Sequence, residues 1–132
     1  MHLKLDDSGV IDDGDVARDR GQATADIVVL SAADSDLAAF AAAYVKLPSG
    51  FPTIRFTNLL ALGHPASVDL YVERTLRKAK IVLLRMLGGE NYWPHGVESL
   101  RTHALRHGTL FVCIPGETTW NPDLAARGTV DA

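Results

Sequence analysis

Residues 80–96 read KIVLLRMLGGENYWPHG. Six of the seven positions from 81 to 87 are apolar and the run stops at Gly88-Gly89, the pattern of a strand covered on both faces within a parallel sheet. Its one charged residue is Arg85. A guanidinium carries five donors and keeps its proton, so beside a covered sheet it must reach the strand's carboxyl end, a carboxylate or a ligand. The glycine pair permits a sharp turn, and Tyr92, Trp93 and His95 follow around Pro94, a residue suited to the first position of a helix. In parallel α/β sheets the loops after the strands build the ligand crevice, which makes this loop the richest candidate in the chain.

The same alternation of apolar run and helical stripe recurs on both sides of this segment. Residues 27–30 form an apolar strand, and Leu37, Phe40, Ala41, Tyr44 and Val45 follow at helical spacing, with Asp34 or Ser35 available as a cap. Pro48-Ser49-Gly50 closes that helix, and residues 53–57 alternate as a second strand suited to an edge. The loop NLLALGH leads to Pro65 and a helix with Val68, Tyr71, Val72, Thr75, Leu76 and Ala79 on its buried face and a Glu73 to Arg77 pair outside. Beyond the glycine pair, Val97, Leu100, Ala104 and Leu105 mark a helix closed by His107-Gly108. Residues 109–114, TLFVCI, make a fourth strand, and Asn121 caps a short final helix. Strands alternating with helices imply right-handed crossovers and a parallel sheet in the order 2-1-3-4. The expected fold is a three-layer α/β domain, flavodoxin-like or Rossmann-like, with the strand at 81–87 central. Residues 1–5, with Val10-Ile11, suggest a further strand at the N-terminal edge.

The 132 residues suit one domain, and 13 Lys plus Arg against 16 Asp plus Glu give a net charge of -3, so no basic field argues for nucleic acid. The longest apolar stretch, residues 37–45, is far short of the roughly 20 residues that cross a bilayer. The acidic N-terminus does not resemble a cationic signal peptide, and the single cysteine, Cys113, lies in an apolar run without an internal partner. These features point to a reduced, cytoplasmic setting with a buried, inert thiol.

The chain carries few motifs with chemistry of their own. No G-x-G-x-x-G follows a strand, and neither G-x-x-x-x-G-K-[ST] nor G-x-S-x-G occurs, so no phosphate cradle and no nucleophile elbow is present. Asp12, Asp13 and Asp15 lack the spacing of a calcium loop and read better as a solvated turn. His103 and His107 share a helical face but lack the glutamate of H-E-x-x-H, and at a helix end they complement the dipole. His64 and His95 both stand where loops lead into helices on the carboxyl edge, either as ordinary helix-start residues or as ligand contacts. Tyr92 and Trp93 either cover the core or stack on a large planar ligand. Arg85 either touches a ligand or pairs with an acidic residue, Asp34 or Glu73, with Asp34 favoured.

Three long strings carry a resemblance: DIVVLSAADSDL (26–37), FPTIRFTNLLALGHPASVDLYVERTL (51–76) and RMLGGENYWPHGVESL (85–100). In order and spacing they resemble the beginning of the large subunit of aerobic cobaltochelatase, a family related to the H subunit of magnesium chelatase. MHL, IDDGD and GQATADIVVLSAADSD at the start fit as well. The resemblance implies a part in the ATP-dependent insertion of cobalt into a corrin, hydrogenobyrinic acid a,c-diamide, during cobalamin synthesis. It also implies that the large subunit holds corrin and metal while separate AAA+ partners hydrolyse ATP, consistent with the missing phosphate cradle. The family's subunit is far longer than this chain, so the expectation is an N-terminal domain or fragment that binds nothing by itself. Its partners are then the rest of the large subunit and the ATPases. No catalytic residue of the family transfers to a position here. Arg85, Tyr92, Trp93, His95 and His64 remain the candidate ligand contacts. A docking role instead calls for Trp120, Leu59, Leu60 and Leu62 to be exposed.

Overall fold

A computed structural model describes residues 24–87 and 92–130. Its elements are β1 (Ile27–Ser31), α1 (Asp34–Tyr44), β2 (Ile54–Asn58), a 3-10 turn (Leu59–Leu62), α2 (Pro65–Arg74), β3 (Ile81–Met86), α3 (Pro94–His107), β4 (Leu110–Pro115) and α4 (Pro122–Ala125). The strands form one parallel sheet in the expected order β2-β1-β3-β4. Ile54, Ile27, Ile81 and Leu110 share one row across it, and Asn58, Ser31, Arg85 and Ile114 share another at the carboxyl edge. The expected N-terminal edge strand, the turn at Asp12, Asp13 and Asp15, and the Gly88-Gly89 turn lie outside the described residues.

Side-chain alternation along the strands divides the core in two. Val28, Leu30, Val82, Leu84, Met86, Phe111 and Cys113 face one side, where they meet Val68, Tyr71, Val97, Leu100 and Leu124 of the helices. Val29 and Phe56 face the other, where Leu37 and Tyr44 of α1 cover them and Leu83 packs at the margin. The continuous apolar run of β3 predicts equal cover on both faces. The structure corrects this: Val82, Leu84 and Met86 are buried, whereas Ile81, Leu83 and Arg85 are partly exposed, because α1 is the helix of the thinner layer and packs over β1 and β2.

Other corrections concern ends of elements. Val45 is 61% exposed because α1 stops at Tyr44, and Leu105, at 62%, lies on the outer face of α3. The N-cap of α1 is Ala33, with no side-chain cap, so neither Asp34 nor Ser35 has that role. Thr75 ends α2, so Glu73 and Arg77 do not share a helix. Leu59 and Leu62 are buried, which removes them as an exposed docking surface, although Trp120 is 51% exposed. Gly108 closes α3 at φ 71, a left-handed backbone that favours glycine, and Asn121 caps α4 by accepting from the Leu124 N–H at 3.0 Å. Cys113 is buried, and desolvation pushes its thiol up to about 12.

Trp93 sets the approach of α3 to the sheet. Its ring is buried, its Nε1–H donates to the Leu62 carbonyl at 3.1 Å, and Gly96 lies so close that a Cβ there would stand 2.0 Å from a ring carbon. The glycine is needed for this contact. Gly96→Ala is expected to lower stability by about 1–3 kcal/mol through overpacking, despite alanine's better helix propensity. A urea midpoint equal to that of the parent would contradict this account.

Candidate functional site at the carboxyl edge

Arg85 stands at the carboxyl end of β3 and pairs with an acidic residue, as its position demands, but the partner is Asp36 and not Asp34. Asp36 is the third residue of α1, and helical side chains lean back toward the N-terminus, so its carboxylate returns to the sheet edge. Asp34, at the first position, turns to β2 and accepts from Asn58 Nδ2 at 2.8 Å. The Asp36 carboxylate also accepts from Ser31 Oγ at 3.1 Å, and Ser31 Oγ accepts from the Ala33 N–H at 3.1 Å. Arg85 donates a second hydrogen bond to the Gly116 carbonyl at 3.4 Å. One guanidinium therefore joins the ends of β1, β3 and β4. Sequence reasoning missed Asp36, Ser31 and Gly116, although the helix start at Asp34 would have indicated which carboxylate leans inward. The space left among Ser31, Ala33, Asp36, Arg85, Leu87 and Gly116 is about 10 Å³, room for about one water.

The aromatic and histidine candidates lie on the other face of the sheet. Tyr92 is exposed at 54% and Trp93 is buried at 7%, so of the pair Tyr92 presents a ring to solvent. His64 caps α2, its Nδ1 accepting from the Ala66 N–H at 3.0 Å. His95 Nε2 lies 3.3 Å from Asp69 Oδ1 and 3.4 Å from Ser99 Oγ. The structure thus brings Tyr92, Trp93 and His95 together at the start of α3 and sets His64 at the start of α2. Arg85 points away from them, toward α1.

His95 also lines a groove of about 540 Å³ between α2 and α3, with Asp69, Glu73 and Glu98 toward one end and Arg77, Arg106 and His107 toward the other. Such a volume suits a small ligand. His103 closes its floor: it is buried, its Nε2–H donates to the Leu76 carbonyl at 3.1 Å, and its ring centroid lies 4.5 Å from that of His107. Burial, then the neighbouring His107, lowers its pKa from the ordinary 6.5, against a smaller opposing effect of the Leu76 hydrogen bond. Among the described residues no group of three or more His, Cys, Asp or Glu is placed to hold a metal ion.

Two outcomes follow from this geometry. The Arg85–Asp36 pair keeps 30% and 24% side-chain exposure, so solvent screens it and Arg85→Met is expected to cost about 1–3 kcal/mol, between a surface and a buried pair. A double-mutant cycle is expected to give coupling between Arg85 and Asp36 and none between Arg85 and Asp34; the reverse would refute the assignment. For His103 the folded pKa lies below the unfolded one, so the unfolded chain binds more protons in the window between them and stability falls as pH drops below 6.5. Replacement by Gln, which retains an N–H for Leu76, is expected to flatten that loss in acid melts, and an unchanged slope would assign it elsewhere.

No protein-family model matches the chain, and no solved structure matches it. Curated relatives do. It is 43% identical over 132 residues to the aerobic cobaltochelatase subunit CobN of a Sinorhizobium species, covering all of this chain and 10% of that protein. It is 41% identical over 133 residues to the subunit of the same name from Pseudomonas aeruginosa, again covering all of this chain and 10% of the relative. Every strand, helix and loop of the candidate site lies inside the matched region, and the chain is similar throughout its length to one-tenth of an aerobic cobaltochelatase subunit CobN.

Proposed function

We propose that the chain is the N-terminal α/β domain of the large subunit of an ATP-dependent cobaltochelatase, a ligase that forms nitrogen–metal bonds by inserting cobalt into hydrogenobyrinic acid a,c-diamide in cobalamin synthesis. The observation that carries this is identity of 41–43% to two CobN subunits along the whole chain. The missing phosphate cradle supports a division of labour in which AAA+ partners hydrolyse ATP and this piece does not. No helix among the described residues is long and apolar enough to cross a membrane. In this reading the domain forms one wall of the corrin site. Tyr92 is the stacking surface, His95 and His64 are the polar contacts beside it, Trp93 holds the loop from beneath, and Arg85 braces the edge from the opposite face.

A second reading, a non-catalytic docking domain, is favoured by one specific observation: the space around Arg85 is too small for any ring. The complete large subunit distinguishes the two. On the wall reading, Tyr92→Ala weakens corrin affinity about tenfold, roughly 1.4 kcal/mol, with an unchanged melting temperature, and His95→Ala weakens it less. Unchanged affinity in both variants would leave docking as the domain's role.

A further inference from the structure

His103 lines the groove between α2 and α3, yet it is only 8% exposed. Its Nε2 lies 3.1 Å from the Leu76 carbonyl, and a carbonyl only accepts, so Nε2 carries the proton of the neutral ring. The lone pair is then on Nδ1, and among the described residues that nitrogen has no hydrogen-bond partner. Buried polar atoms are nearly always satisfied, so Nδ1 wants a donor from the groove that His103 lines. Burial, then the neighbouring His107 and Arg106, oppose protonation of this ring. Surroundings that keep a proton off also keep a metal cation off, which counts against His103 and His107 as a chelating pair even though they stand one helical turn apart. They favour an anion.

We propose that this end of the groove binds hydrogenphosphate, with unprotonated oxygens on Arg77 and Arg106 and the P–OH donating to His103 Nδ1. Arg106 and His107 complement the dipole at the end of α3, but Arg77 stands beyond the end of α2 and adds a second guanidinium to the same cavity. Neither arginine forms an ion pair among the described residues. Guanidinium groups match the oxygens of a phosphate in charge and in geometry. The acceptor on the floor then selects among tetrahedral anions. Sulfate has a similar shape but holds no proton at neutral pH, and a phosphate monoester loses its second proton near pH 6, whereas free phosphate keeps at least one. This end of the groove lies toward the start of β4, away from Tyr92, and the proposal stands apart from the chelatase reading.

Calorimetric titration of the full-length subunit at about pH 7, with sodium phosphate, sodium sulfate and methyl phosphate as probes, tests the site. Phosphate is expected to bind about tenfold or more tightly than either of the others. Arg77→Gln combined with Arg106→Gln, both exposed side chains, is expected to weaken phosphate binding about tenfold or more. His103→Leu is expected to bring phosphate and sulfate to equal affinity, and if that variant fails to fold, the wild-type comparison of the two anions decides. Equal affinity for all three anions in the wild type would overturn the proposal, because arginine charge alone would then account for binding. Phosphate binding that survives both arginine changes would also overturn it, by placing the anion elsewhere in the subunit. So would the lack of any saturable binding below about 10 mM, which would leave water as the donor to Nδ1.

Discussion

Parallel pairing of β1 with β3 is the constraint from which the rest of the architecture follows. Each of these strands has a neighbour on both sides, so its backbone groups are met within the sheet, but its two faces must both be removed from water. Among the described residues, three helices and the buried 3-10 leucines serve one face and α1 alone serves the other. Among the described residues this inequality leaves the outer end of β3 only partly covered, and there the chain places Arg85. The guanidinium then serves as a tie across three strand ends, held by a carboxylate from the one helix on its side.

Much of the fold was legible because apolar period and breaker residues agreed. Pro65, Pro94 and Pro122 each stand at a helix start, Gly108 at a helix end, and the four apolar runs became the four strands. Where reading by pattern failed, a neighbour in space made the difference. Leu59 and Leu62 sit in a stretch that looks like a loop, yet the 3-10 turn, capped by Asn58 accepting from the Leu60 N–H at 2.9 Å, points them inward. Val45 continues the helical stripe of α1, but the helix ends one residue earlier and the side chain is left exposed.

The candidate site was legible in kind and not in arrangement. That a lone cation at a strand end would be paired follows from charge burial, whereas the choice between Asp34 and Asp36 depends on where the first helical turn begins. The loop after β3 separates its two aromatics: Trp93 belongs to the core, and Tyr92 faces solvent. No spacing rule assigns those roles to adjacent residues, because a one-residue difference in phase at the start of α3 would exchange them.

The state of Cys113 has a bearing on metal traffic. Thiols bind borderline and soft metal ions as thiolates, and a sulfur whose proton is held until a pH of about 12, inside an apolar layer, offers none at neutral pH. This chain has no other cysteine. With its one thiol buried and protonated, the chain presents neither sulfur-seeking ions nor mild oxidants with an accessible thiolate.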